Sequence, residues 1–262
     1  VKHNVCVQNF DNLGLAFGAS SNLFNTLCSP PPPPANATGN STVALTEDLV
    51  QMVTETHNVT TLDEYAVYPN PFFDYESPTA VRTTVNPIWE QSELYLVDGS
   101  ESLQNNPIWP FLQPARGVDV LIVNDNSDDL DSFPNGTQFV PTYTESVKRH
   151  LTRMPFIPSV DTIVSEGLNK RATFFGCNEP EKLTLVYIPN VNLTYPSNQS
   201  TYKLQYSKDE QAGMISNGFA MASQDGDTDW GICLGCAIVG KTRTVLPQEC
   251  TACFQKYCYT QT

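Results

Sequence analysis

The run LYLVDGS at residues 94–100 carries an apolar, β-forming stretch straight into Asp98-Gly99-Ser100. A carboxylate at the end of a strand can serve as a general base, provided a nucleophile lies within hydrogen-bond reach. Open α/β sheets also place their ligands at the carboxyl ends of their strands. The bland alternative is a strand that has reached the surface, where Asp and Gly are ordinary turn residues. Elsewhere the chain offers little nucleophilic chemistry. Its three histidines, His3, His57 and His150, lie in no metal-ligand spacing, and no HExxH occurs. There is no GxSxG elbow, no Walker loop and no GxGxxG run. The nearest Gly/Ser stretch, GLAFGASS at 14–21, lacks a second glycine after the serine. Taken alone, the chain supplies an acid or base and no nucleophile.

The cysteines carry the other legible chemistry. Cys233-X-X-Cys236, Cys250-X-X-Cys253 and Cys258 have the spacing of paired zinc knuckles, and Cys6, Cys28 and Cys177 complete the eight. Sequons for N-glycosylation begin at Asn36, Asn40, Asn58, Asn135, Asn192 and Asn198, in polar, turn-rich surroundings. Together these features predict a secreted, extracellular glycoprotein in which the cysteines form disulfides rather than a metal site, in a pairing the spacing leaves open. No cofactor is implied. A basic cluster (Lys148, Arg149, His150, Arg153) and an acidic loop (Asp125, Asp128, Asp129) read as solvated faces pairing with opposite charges; a lipid headgroup or a cation is the sharper alternative for each.

These residues need a scaffold. The 262 residues carry a net charge of -14 and a pI near 4.4, which repels phosphate backbones and excludes nucleic acid as a partner. The same charge argues against docking on anionic lipid, so membrane contact would be transient. No apolar run approaches the ~18 residues needed to span a bilayer. The strands at 94–99 and 118–125 are joined by a Pro-rich excursion, which predicts neighbours in a largely parallel, buried sheet. Further strands are expected at 173–177 and 183–190. Helices are expected at 44–55, around Val147, Leu151 and Met154, from a Ser159 cap to near Gly167, and at 209–223. YPNPFFDY at 68–75 reads as an irregular packed segment, and the Pro tract and sequons of 29–42 as a solvated loop. The predicted fold class is therefore α/β, with residues 1–225 as its main body and 226–262 as a loop-rich, disulfide-stapled end of the same domain. The opening VKHNVCVQNF has neither an initiator Met nor a signal peptide, which marks Val1 as an expected processing site.

At this point the residues carry a family likeness. The stretch DGSESLQNNPIWPFLQPARGVDVLIVND resembles the segment around the catalytic aspartate of the fungal phospholipase B, or lysophospholipase, family, which is related to the cytosolic group-IV phospholipases. FDNLGLAFGASSNLFN, PNPF at 69–72, PNGT at 134–137, GLNKRATFFGC at 167–177 and the spaced C-terminal cysteines are similar to that family in the same order. The likeness covers nearly the whole chain, but only about the C-terminal half of the family's catalytic domain.

The resemblance implies a central, mostly parallel sheet flanked by helices, and a Ser/Asp dyad without histidine. The family's serine sits in a GxSGG-type turn within an N-terminal portion, along with the oxyanion-hole glycines and an arginine. That portion is the implied partner chain, and a (lyso)phospholipid the implied substrate. Asp98 aligns with the dyad aspartate. Asn105, Pro107 and Pro110 align with the residues that follow it, and Arg116 with the arginine opening the next strand. The family pattern is Asp-Gly-Gly, whereas here Ser100 follows Gly99; a hydroxyl donated to Asp98 would lower its pKa and weaken it as a base. The rival expectation is a non-catalytic secreted glycoprotein of the same fold that binds lipid or a cell-wall partner.

Overall fold

The computed structural model describes residues 13–22, 65–74, 88–199, 203, 205–242 and 245–260. The expected helix at 44–55, the Pro-rich loop, Cys6, Cys28, Asn36, Asn40 and Asn58 lie outside these residues. The chain forms two compact units, Val1–Glu101 and Ser102–Thr262.

In the first unit, helix α1 (Leu13–Ser20) precedes strands β1 (Ala66–Pro69) and β2 (Glu93–Leu96). The strands pair antiparallel, with Ala66 opposite Leu96 and Pro69 opposite Glu93. Buried Asn70 pins the turn that follows β1, its Nδ2 donating to the carbonyls of Ile88 and Gln91 and its Oδ1 accepting from the Phe72 amide. The PNPF segment is thus held through an asparagine, while the rings of Phe72 and Phe73 are exposed rather than packed.

The second unit is a three-layer α/β body. Its elements are β3 (Val120–Asp125), α2 (Phe139–Lys148), α3 (Val160–Ser165), β4 (Thr173–Phe175), β5 (Thr184–Pro189), α4 (Lys208–Ala222), α5 (Trp230–Val239) and α6 (Gln248–Tyr257). The sheet order is β3-β5-β4, with β3 parallel and β4 antiparallel to β5. Central β5 is buried along its whole length, as its continuous apolar sequence demands. Leu185 and Tyr187 face a core built with Phe139, Ile163 and Leu112. Val186 and Ile188 face the opposite core, with Met221, Trp230 and the cysteine-bearing helices. Covering both faces with helices is what makes a buried parallel pair stable.

Several expectations are corrected here. The runs at 94–99 and 118–125 pair elsewhere: β2 with β1, and β3 with β5. The helix expected over 147–154 lies upstream. Pro141 in the first turn of α2 withdraws no needed donor, and the helix stops in a Schellman motif. There His150 takes a positive φ of 55°, its amide bonds Val147, and the Leu151 amide bonds Ser146 at 2.8 Å. The Ser159-capped helix and its Gly167 stop are found as predicted, with Ser159 Oγ accepting from the Thr162 amide.

The cysteine-rich end is a helical hairpin rather than a loop-rich segment. A Cys-X-X-Cys spacing puts both thiols on one face of a helix, and the two facing helices are joined by Cys233–Cys253 and Cys236–Cys250. Cys177–Cys258 ties β4 to the end of α6. Asp227 accepts from Lys256 and Tyr257, contacts that hold its carboxyl down at about 2. Among the described residues no helix is long and apolar enough to cross a membrane.

Candidate active site

β2 alternates Glu93 and Tyr95 outward with the half-buried Leu94 and Leu96, so it is a two-faced strand rather than a buried central one. Two residues later the chain reaches Asp98. Its amide donates to the carbonyl of Asn22 at 2.9 Å, which ties the end of β2 to the residues just after α1. The GLAFGASSN stretch and Asp98 therefore meet in space, a contact that their sequence separation hides. Ser20 does not supply a ready nucleophile there, because its hydroxyl donates to the Phe17 carbonyl within the helix.

Asp98 Oδ1 accepts from the Ser100 amide at 2.8 Å, and the Glu101 amide donates to the Asp98 carbonyl at 3.3 Å. The chain turns at once into a 3₁₀ turn, Gly99–Ser102. A half-buried carboxylate is thus fixed in rotation by the backbone beside it. The bond comes from the amide at position 100, which a glycine would supply equally well.

The other residues singled out lie in the second unit. Arg116 is exposed at the end of a 3₁₀ turn, Pro114–Arg116, stopped by Gly117 at a φ of 59°. Asn105 enters a polar network at the carboxyl end of β3, its Nδ2 donating to Ser127 Oγ and its amide to Gln138 Oε1. Ser127 in turn donates from its hydroxyl (2.6 Å) and amide (3.1 Å) to Asp125 Oδ1. Gln138 Nε2 donates to Asp129 Oδ1, and the Asn135 amide to Asp129 Oδ2. Burial pushes the Asp129 carboxyl up, against the pull of these two bonds.

The acidic loop is therefore not a uniformly solvated face, since Asp125 is only 1% exposed. Its Oδ2 and the buried Tyr187 hydroxyl each lack a hydrogen bond of good geometry, and burial followed by the Asp125 carboxylate drives the phenol well above its usual range. Among the described residues no group of three or more His, Cys, Asp or Glu is arranged to hold a metal. The basic cluster is engaged with carboxylates: Lys148 and Arg149 with Glu145, and Arg153 with Asp119.

Beyond the ends of β3 and β5 lies a cleft of about 290 Å³ of mixed lining, with Asn126, Asp128, Asn190 and Asn217 beside Met214 and Met221. Sequence reasoning missed Asn217, which is fully buried in α4. Its Oδ1 accepts from the amides of Leu193, Thr194 and Tyr195, and its Nδ2 donates to the Val191 carbonyl and Ser197 Oγ. A poor helix former in mid-helix was the available signal. It anchors the loop that carries the exposed Asn192 and Asn198; Asn135 is half-buried, its Oδ1 accepting from the Thr137 amide.

With this geometry in place, comparison with known proteins gives one consistent answer. A family model described as the lysophospholipase catalytic domain matches residues 1–262. Lysophospholipase 2 of Aspergillus fumigatus is 39% identical over 98% of this chain and 44% of its own length. Lysophospholipase 1 of Saccharomyces cerevisiae is 37% identical over 100% of this chain and 41% of its own. Lysophospholipase 3 of Candida albicans is 37% identical over 98% of this chain and 36% of its own. The chain thus spans well under half the length of these relatives. No solved structure gives a significant match. The ordered motifs, the α/β body with its stapled C-terminal helices and the match over every residue agree: the chain belongs to the lysophospholipase catalytic-domain family.

Proposed function

We propose that this chain supplies the aspartate base of a secreted lysophospholipase/phospholipase B, with the nucleophilic serine on a portion outside these 262 residues. The observation that carries the reading is Asp98, held at a strand end with one carboxylate oxygen bonded to the Ser100 amide, inside a chain whose whole length matches the family. A fixed carboxylate is what a dyad without histidine needs, because the base must sit within about 3 Å of the hydroxyl it deprotonates. Attack of that serine on an ester carbonyl would give an acyl-enzyme, with hydrogen-bond donors of the companion portion stabilising the oxyanion. Water deprotonated by Asp98 would then release the fatty acid. Asn105 and Arg116, which follow Asp98 in the family's order, would be supporting residues of the active-site turn, together with Gly99 and Ser100.

Three disulfides support an oxidising compartment, and exposed Asn192 and Asn198 support glycosylation there. The non-catalytic alternative drew its weight from Ser100, whose bond to Asp98 is one that glycine would also make. The test is Asp98→Asn in the full-length protein. Ester hydrolysis should fall by about 10²–10⁴-fold, the usual contribution of a positioned base, with secretion and unfolding midpoint unchanged. Full activity in this variant would overturn the assignment. A fluorophosphonate probe separates the two classes, since the enzyme labels on the companion portion and a binding protein does not label.

A further inference from the structure

One member of the basic cluster has no carboxylate. Lys148 and Arg149 meet Glu145, and Arg153 meets Asp119, but among the described residues none lies within ion-pair distance of His150. His150, at the positive φ that ends α2, lines a hollow of about 260 Å³ near the amino-terminal end of β5. Tyr143 and Phe156 line it too, with Glu179 and Lys182 from the turn between β4 and β5. This is the end of the sheet opposite the mixed cleft lined by Asn190.

Its walls are held by backbone bonds. The Leu183 amide donates to the Arg153 carbonyl at 2.8 Å, joining the turn to the segment that carries Phe156. Within the turn, the Glu179 amide bonds the Gly176 carbonyl at 3.2 Å and the Lys182 amide the Glu179 carbonyl at 3.1 Å. Lys241 Nζ donates to the same two carbonyls, at 2.7 and 2.5 Å, so its ammonium is occupied by backbone.

The lining combines three kinds of group. The rings of Tyr143 and Phe156 meet at 81° with centroids 5.7 Å apart, and Tyr259 stacks on Phe156 at 6.3 Å and 17°. Aromatic faces attract cations, above all ammonium groups clothed in methyls. Glu179 adds a carboxylate, and Lys182 and His150 add donors for an anion. Among the described residues the charged ends of Glu179 and Lys182 make no hydrogen bond or ion pair, although the two residues share one turn. Unpaired charges of both signs around aromatic rings suit a ligand that carries both. A neutral sugar would leave both charges unmatched, and a bare anion would leave the rings and Glu179 without a role.

The geometry points to a binding site for a phosphocholine-type group in this hollow. Its quaternary ammonium would lie against Tyr143, Phe156 and Glu179, and its phosphate toward Lys182 and His150. The site is separate from the Asp98 turn, and no step of the proposed hydrolysis runs through it. A lipid headgroup and a water-soluble glycerophosphodiester present the same chemistry.

Calorimetric titration of the full-length protein with phosphocholine tests the site. Saturable binding is expected, weakened by about tenfold in Glu179→Gln and in Phe156→Leu, the share of an ammonium contact with a partly desolvated partner. Lys182→Gln should weaken phosphocholine binding and leave choline binding unchanged. Unfolding midpoints should match the unaltered protein in all three variants. No saturable binding, binding unmoved by the three variants, or displacement of phosphocholine by equimolar inorganic phosphate would overturn the proposal. Sedimentation with phosphatidylcholine vesicles then assigns the source. Vesicle binding weakened by the same variants supports a lipid headgroup; vesicle binding intact while phosphocholine binding falls supports the soluble phosphodiester. Ester hydrolysis on the same samples keeps the readings apart: its absence alongside phosphocholine binding rejects only the proposed activity.

Discussion

Asp98 keeps its carboxylate oriented through the amide two positions on, and that amide is present whether residue 100 is Ser or Gly. Local chemistry of this kind was legible in the sequence, because an Asp-Gly turn after a β-forming run uses only neighbouring atoms. Asp125 was not legible: it sits in a run of acidic residues that reads as solvated, and only the paired sheet shows it to be buried against Tyr187. Asn217 is the same case with larger consequences, since five bonds to one loop converge on it from residues 191–197. Removing one partner strands the others, and a buried group left unsatisfied costs about 1–3 kcal/mol. Asn217→Ala should therefore destabilise the chain by about 3 kcal/mol in urea unfolding. A loss no larger than that of an exposed helix substitution would mean the loop re-forms its bonds with water.

Helix α4 lies within a residue at each end of the stretch expected at 209–223, and the structure shows what fixes its start, a reciprocal capping box between Ser207 and Glu210 that the sequence reading passed over. The stapled end was not readable, because Cys-X-X-Cys serves zinc knuckles, loops and helix faces alike, and the helical hairpin emerges only with the cross-pairing of Cys233 with Cys253 and Cys236 with Cys250. Two glycines within α4 separate propensity from packing. Alanine is favoured over glycine inside a helix by about 1 kcal/mol. At Gly218 an added Cβ meets nothing within 4 Å, so Gly218→Ala should stabilise the protein by up to that amount. At Gly213 the same atom would fall 2.3 Å from Tyr195 Cδ2, and the ring would have to move. Gly213→Ala should therefore destabilise it despite the better propensity. Thermal unfolding of the two variants should show shifts of opposite sign; a gain for both would mean that Tyr195 yields freely.

For the whole molecule, four of the five strands among the described residues were legible, all but β1, and strand partners were not. Sequential strands usually neighbour one another, which favoured pairing 94–99 with 118–125, whereas β3 takes its partner from beyond two helices and another strand. That choice is made by burial: β5 alone is apolar enough to sit between two cores. The family's C-terminal cysteines then lock the arrangement, since Cys177–Cys258 closes a span of 81 residues that contains β5, α4, α5 and α6. In the chain-entropy account, cross-linking a loop of that size removes about 4.5 kcal/mol of freedom from the unfolded chain, against about 3 kcal/mol for a 15-residue loop such as that closed by Cys236–Cys250. The double variant Cys177→Ala/Cys258→Ala should accordingly lose more stability in urea unfolding than Cys236→Ala/Cys250→Ala. It should also loosen the Tyr259–Phe174 contact that closes the β4 edge, read as faster exchange of the Tyr259 amide. The reverse ranking would show that the helical hairpin, rather than the span from sheet to C-terminal helix, is what the cysteines chiefly stabilise.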